Sequence, residues 1–312
     1  MYLAERAGGS AFVFPGQGSQ KVGMGRDLCD NFASAREVFE EADESLGFPL
    51  SRLCFEGPED ELAQTVNAQP AIMTVSIACL KAAAGVAGKL ICPAFMAGHS
   101  LGEYTALVAA EVLDFADAVR LTRRRGELMQ EAGEQVPGGM AAVIGLDMVS
   151  VEEVCQESGA QISNLNSPGQ IVISGSRESL VRAMDLARAM GARYIMPLKV
   201  SGAFHSHLMQ PAAEGMAEAI SNLEFRTPSV PIVVNSTAQP ASTPAELKDE
   251  LLKQLSTCVH WQESVEYMVD AGVDTFVEIG PGQVLNGLIK RINQGARILN
   301  VEDSNSITSM SA

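Results

Sequence analysis

Residues 95–107 read FMAGHSLGEYTAL, and no other stretch constrains the fold so tightly. An apolar run stops at Gly98, Ser100 follows His99, Gly102 follows Leu101, and helix formers come next. A serine bracketed by glycines fits a strand that turns sharply into a helix, with Ser100 at the tip of the turn. Side chains at the two glycines would clash with the neighbouring strand and helix. A helix that starts directly behind the serine aims backbone N–H groups and partial positive charge at any negative charge developing there. A strand feeding a helix in this way belongs in a parallel sheet covered on both faces.

The rest of the chain extends this pattern. Residues 11–14 read as a short buried strand that ends in a Pro/Gly turn. Helical periodicity predicts helices over 27–46, 69–84 (with Pro70 in the first turn), 103–110 and 115–130, and a strand over 94–97. The middle differs. It reads as a strand over 140–146, a helix over 150–158, and two strands (160–166 and 170–175) joined by Ser167-Pro168-Gly169. A helix over 177–190 and a strand over 192–198 complete it. Ser150 is the expected helix cap, with Glu153 at capping-box spacing. The order β-α-β-β-α-β is that of the ferredoxin-like unit. Strand patterns return at 230–236 and 274–282, with a helix over 262–271 between them. The expected organisation is a discontinuous large domain, 1–133 plus 206–312, carrying a small inserted domain at 134–205. The polar tail 304–312 reads as frayed.

Charge and composition exclude several classes. With 312 residues, 46% of them hydrophobic, the chain can bury a large core. A net charge of −16 leaves no basic footprint for nucleic acid and disfavours an anionic membrane surface. An anionic substrate could still be held locally, by Arg120 or the run Arg123-Arg124-Arg125. The weakly polar region 71–97 is interrupted by Lys81, Lys89 and Pro93, so no membrane span is expected. The six cysteines form no C-x-x-C pair and have no histidine cluster beside them, so they read as reduced, packed thiols with no metal. The first residues show no charged-then-apolar leader, and the expected location is the cytoplasm.

A serine hydroxyl needs a base. The chain has four histidines. His99 lies inside the turn and should point away from Ser100. His260, before Trp261, reads as an ordinary packed or surface residue. His205 and His207, in VSGAFHSHLM, follow the end of the small unit and border any cleft between the two. Either could be the base, and composition does not choose between them.

Six segments, FVFPGQGSQKVGMG, GHSLGEYTAL, RLTRRRGELMQEA, NLNSPGQIVISG, VSGAFHSHLM and VEIGPGQVLNGLIKR, span residues 12 to 291. Together and in this order they resemble the malonyl-CoA:acyl-carrier-protein transacylases of type II fatty acid synthesis. The resemblance implies an α/β-hydrolase-like core with a ferredoxin-like insert. It implies that Ser100 is the nucleophile and His205 the base, with Gln17 and Leu101 supplying the oxyanion N–H groups. Arg125 would grip the malonyl carboxylate, Asn166 would lie near the site, and the backbone carbonyl of Gln254 would orient the histidine. Phe204, just before the histidine, resembles the malonyl-selective pattern. No metal or redox cofactor is implied. Malonyl-CoA and holo acyl carrier protein are the substrates, and a monomer is expected. Lys199, Lys290 and Arg291 are the candidate docking cations for an acidic carrier protein. The alternatives are an acyltransferase of other acyl preference or one serving polyketide synthesis, a serine esterase or thioesterase, and a carrier-binding module with a dead site. No HGGG-type sequence occurs, and the only late histidine is His260.

Overall fold

Two parallel strands end side by side, just ahead of Gln17 and Ser100. The computed structural model describes residues 2–88 and 90–309. Strand β1 (Tyr2–Phe14) pairs in parallel with β2 (Leu90–Gly98), and Phe14 sits opposite Gly98. Both strands are longer than the 11–14 and 94–97 predicted. Strands β3 (Gly138–Ile144), β4 (Gln161–Ser167), β5 (Gln170–Ser176) and β6 (Tyr194–Pro197) follow, then β7 (Ile232–Val233), β8 (Pro240–Ala241), β9 (Thr275–Ile279) and β10 (Arg297–Val301). One sheet has the order β10-β9-β1-β2-β7-β8 and is parallel except where β8 runs against β7. The other has the order β4-β5-β3-β6, with every neighbour antiparallel.

The pleat shows how both faces of the large sheet are covered. Phe12 and Phe14 point into the main apolar cluster, which includes Leu28, Phe39, Met73 and Ile77. Ala11 and Val13 point to the opposite face, where Trp261, Val265, Met268 and Phe276 pack. This alternation is the period-two geometry of a strand buried on both sides. The small sheet follows the same rule. Ala141 and Val143 face its own helices, while Met140 and Ala142 join the main cluster.

Several elements depart from the sequence expectation for local reasons. The helix predicted over 27–46 is two, Arg26–Asn31 and Ala33–Leu46, because Phe32 is extended at φ −129° and ψ 118°. The helix predicted over 69–84 is Thr65–Ala87, so Pro70 lies inside it, past the first turn. A proline there cannot donate to the carbonyl four residues back. That carbonyl, on Val66, instead accepts from Arg123 Nη1 at 3.4 Å. This helix is apolar and long enough to cross a membrane, but 72% of its most apolar window is buried inside the fold. The cap of the helix Met148–Ser158 is Asp147, whose Oδ1 accepts from the Ser150 N–H at 2.8 Å; Ser150 therefore sits inside the first turn. The strand predicted over 230–236 shortens to β7 because Asn235 and Ser236 hydrogen-bond to side chains from elsewhere. The tail predicted to fray forms the helix Ser304–Ser309, which buries Ile307 and is capped by Asp303 accepting from Ser306 N–H; residues 310–312 lie outside those described.

The elbow is tight because two loops interlock. His99 N–H donates to Phe14 O at 3.1 Å. A Cβ on Gly102 would stand 2.0 Å from Phe14 O, and one on Gly98 would stand 1.9 Å from the backbone of Gly102. Gly102→Ala is therefore expected to destabilise strongly, by about 3 kcal/mol or more, because the obstacle is backbone that cannot move aside. Gly287 lies in the helix Val284–Ile292 with nothing within 4 Å of its added Cβ. Gly287→Ala should be neutral or stabilising by about 0.5–1 kcal/mol. Thermal unfolding of both variants checks the contrast, with Tm expected to fall by roughly 5 °C or more for the first only.

Candidate active site

Ser100 sits in the left-handed region, at φ 52°. That conformation is uncommon for a residue with a side chain, and the surroundings must hold it. Asn235, at the carboxyl end of β7, does so from both sides. Its Oδ1 accepts from the Ser100 N–H at 2.7 Å, and its Nδ2 donates to Gly98 O at 2.7 Å. The strand Leu90–Gly98 thus ends, the chain turns at Ser100, and the helix Gly102–Ala109 begins. The serine oxygen is pushed out of the turn as the pattern G-x-S-x-G predicts.

The histidine beside it is His205. Its Nε2 lies 2.7 Å from Ser100 Oγ, and its Nδ1 lies 2.8 Å from the backbone carbonyl of Gln254. A carbonyl can only accept, so Nδ1 carries the proton and Nε2 is left bare to take the serine proton. The carbonyl is available because Gln254 is the last residue of the helix Pro244–Gln254, where carbonyls run out of intrahelical donors. Burial, with the Arg125 charge as the second cause, pushes His205 down to about 3. The ring is therefore neutral at any ordinary pH.

Arg125 is 1% exposed, on the helix Phe115–Gln135. Nη1 donates to Gln69 Oε1 at 2.8 Å, and Nη2 donates to Gln254 Oε1 at 3.0 Å and to Ser100 Oγ at 3.1 Å. The guanidinium carbon lies 5.2 Å over the Tyr104 ring. Burial lowers its pKa, but a guanidinium stays charged in proteins. Among the described residues it forms no ion pair with a carboxylate. Its neighbours are ordinary helix charges. Arg123 pairs with Glu127 and reaches Asn67, and Arg124 pairs with Glu127 and Glu131.

The Leu101 and Gln17 backbone N–H groups have no protein acceptor among the described residues, and Gln17 is held by its side chain donating to Thr65 Oγ1 at 3.1 Å. Leu101 directly follows Ser100, and Gln17 lies on the loop that interlocks with the elbow. Asn166 is one step from Ser100: its Oδ1 is 2.8 Å from Nε2 of His99, whose ring packs at 5.7 Å from Trp261. His99 thus points away from the serine. Phe204 is buried in the main cluster beside Gly202, and its carbonyl accepts from Ser174 Oγ at 2.7 Å. His207 and His260 are elsewhere engaged. His207 contacts Gln161 Oε1 on the surface, and His260 pairs with Glu263 at 2.8 Å.

Sequence reasoning missed Asn235, Gln69 and Glu103. Glu103 is fully buried, and its Oε2 accepts from the Asn235 N–H at 3.2 Å and from Gln254 Nε2 at 2.9 Å. Burial, and next the Glu250 carboxyl, hold it well above the usual carboxylate range. The one available signal was topological. Asn235 ends an apolar strand, and the carboxyl ends of parallel strands gather where ligands bind.

Residues 11–311 match the family model of the acyl transferase domain. The malonyl CoA-acyl carrier protein transacylase of Bacillus subtilis is 46% identical over 302 residues, covering 95% of this chain and 94% of the relative. That of Escherichia coli is 47% identical over 286 residues, covering 90% and 92%. An acyl carrier protein S-malonyltransferase from Vibrio cholerae superposes with a TM-score of 0.92 at 42% identity, covering 96% of this chain and 99% of that one. A malonyl-transacylase solved in complex with its type II polyketide acyl carrier protein gives the same TM-score and identity, covering 96% and 98%.

A His205 ring pushed down to about 3 gives the Ser100–His205 pair a distinctive pH dependence. The rate at which a sulfonyl fluoride labels Ser100 is expected to stay level from pH 8 to 5. An unperturbed histidine would halve it near pH 6.5. Arg125→Ala should move the acid limb upward, since the guanidinium charge is one cause of the depression. The sign for stability follows. The folded ring refuses a proton that the unfolded chain accepts, so stability declines as pH falls below about 6.5. Labelling rates and unfolding midpoints across pH check both.

Proposed function

We propose that this chain, which belongs to the malonyl-CoA:acyl-carrier-protein transacylases of the acyl transferase domain family, carries a malonyl group from coenzyme A to acyl carrier protein through an ester on Ser100. Ser100 Oγ attacks the thioester carbonyl while His205 Nε2 takes its proton. The Leu101 and Gln17 N–H groups receive the oxyanion, at about 3 kcal/mol per donor. The tetrahedral adduct collapses, the C–S bond breaks, and the proton passes from His205 to the departing sulfur. The phosphopantetheine thiol then attacks the ester, His205 takes the thiol proton, and Ser100 Oγ receives it on release.

The observation that carries this reading is Arg125: buried, without a carboxylate partner among the described residues, and 3.1 Å from the nucleophilic oxygen. A buried guanidinium without an anion is costly, and a carboxylate next to the acyl carbon would relieve that cost with two parallel hydrogen bonds. A plain esterase has no use for such a charge. Malonyl differs from acetyl by this one carboxylate.

The strand order β4-β5-β3-β6 with helices Met148–Ser158 and Arg177–Ala189 suits a ferredoxin-like insert over 134–205, on a hydrolase-like core formed by 1–133 and 206–312. Phe204 precedes the base and is the residue we assign to excluding a branching methyl group; Asn166 steadies the pocket through His99. The relative solved with a carrier protein supports acyl carrier protein as the partner. Lys199, Lys290 and Arg291 are exposed and suit that contact. We take the chain to act as a cytoplasmic monomer.

Intact-protein mass after mixing with malonyl-CoA tests the reaction class. Wild type should gain one malonyl group that holo carrier protein removes, and Ser100→Ala should gain none. Arg125→Ala should lose roughly 100- to 1000-fold in kcat/KM for malonyl-CoA, the cost of removing one partner of a buried charged pair. It should gain relatively for acetyl-CoA, because the unpaired charge that penalises acetyl is gone. Parallel kinetics with the two thioesters check this; an unchanged malonyl-over-acetyl ratio would mean that another group holds the carboxylate.

A further inference from the structure

Gln254 enters the site twice. Its backbone carbonyl holds His205, and its side chain reaches Arg125, Ser100 and Glu103. Oε1 accepts from Arg125 Nη2 at 3.0 Å. Nε2 donates to Ser100 O at 3.0 Å and to Glu103 Oε2 at 2.9 Å. The amide is 1% exposed, and both of its N–H bonds are spoken for. Its orientation is therefore fixed. If the amide were flipped, its N–H bonds would face the guanidinium and its oxygen would face the Ser100 carbonyl and the Glu103 carboxyl, so like would meet like on both sides.

We infer that the Gln254 side chain, anchored by Glu103, is a positioning residue that fixes the Arg125 guanidinium for the substrate carboxylate and so sets acyl-group selectivity, apart from the hold of its backbone carbonyl on His205. The inference rests on the reading of Arg125 given above. Two features carry it. First, Arg125 is held by neutral amide oxygens, those of Gln69 and Gln254, rather than by carboxylates. An amide oxygen orients a guanidinium without cancelling its charge, which stays available to a bound anion. Second, the amide owes its orientation to Glu103, a buried group whose other oxygen, Oε1, has no partner among the described residues. Glu103 also accepts from the Asn235 N–H, so one carboxyl steadies both the elbow clamp and the arginine holder.

The experiment compares kcat/KM for malonyl-CoA and acetyl-CoA in wild type and Gln254→Met, with unfolding midpoints alongside. Gln254→Met keeps the backbone carbonyl and the side-chain volume but loses every amide contact. It is expected to lose roughly 10- to 100-fold for malonyl-CoA, chiefly through KM, and distinctly less for acetyl-CoA, so that the malonyl-over-acetyl ratio falls about 10-fold. If Gln254→Met does not fold, Gln254→Asn withdraws the amide by one methylene and takes its place in the comparison. An equal loss for both thioesters, or an unchanged ratio in the folded variant, overturns the inference and reduces the side chain to a structural prop. Wild type separates this from failure of the underlying reading. A wild-type enzyme that forms no malonyl ester overturns the function itself, whereas one that prefers malonyl while Gln254→Met keeps that preference overturns only the role of Gln254.

Discussion

A guanidinium taken out of water without an anion must be held by whatever else the fold can bring to it, and much of this structure follows from that demand. The groups around Arg125 come from three separate stretches of chain: Gln69, the elbow with Ser100 and Tyr104, and Gln254. None can shift without leaving buried charge poorly solvated, a cost of several kcal/mol. The arginine thus ties the helix Thr65–Ala87 to the elbow and to the end of the helix Pro244–Gln254. Burial first, and the Arg125 charge second, hold the His205 ring neutral.

The elbow makes a second demand. Ser100 and His205 both sit at positive φ, at 52° and 56°, in conformations that must be supported from outside. Asn235 supports the first by spanning Gly98 and Ser100. Backbone packing supports it too, because glycine at 102 lets the Phe14 carbonyl approach, and glycine at 98 lets the Gly102 backbone approach, to distances no Cβ would permit. The strain has a use. It lifts the serine oxygen out of the turn, toward Nε2 of His205 and a guanidinium N–H, while the Leu101 N–H just beyond it has no protein acceptor among the described residues.

Where local reading failed, packing overrode propensity. Pro70 would mark a helix start in an isolated peptide. Here burial of most of the helix Thr65–Ala87 outweighs one lost hydrogen bond, and Arg123 meets part of the loss at the Val66 carbonyl. The split at Phe32 leaves no mark in the periodicity, because apolar residues recur on both sides of it. The final helix was read as a frayed tail because its residues are polar; a single buried residue, Ile307, and an aspartate cap hold it.

The sequence by itself determined the strand–turn–helix around Ser100, the parallel core, the β-α-β-β-α-β order of the middle third, and two histidines as candidate bases. Resemblance to a family then narrowed these to Ser100, His205, Arg125, Gln17, Leu101, Asn166, Phe204 and Gln254. Such features are legible because glycine spacing, hydrophobic period and motif order are local or linear properties of the chain. Only the tertiary structure decided which side chains complete the site. Asn235 lies 135 positions from Ser100, and Gln69 lies 56 from Arg125. Both are ordinary amides in ordinary surroundings when read along the chain. Their roles arise from burial and direction, which exist only once the strands have paired and the helices have closed over the charge.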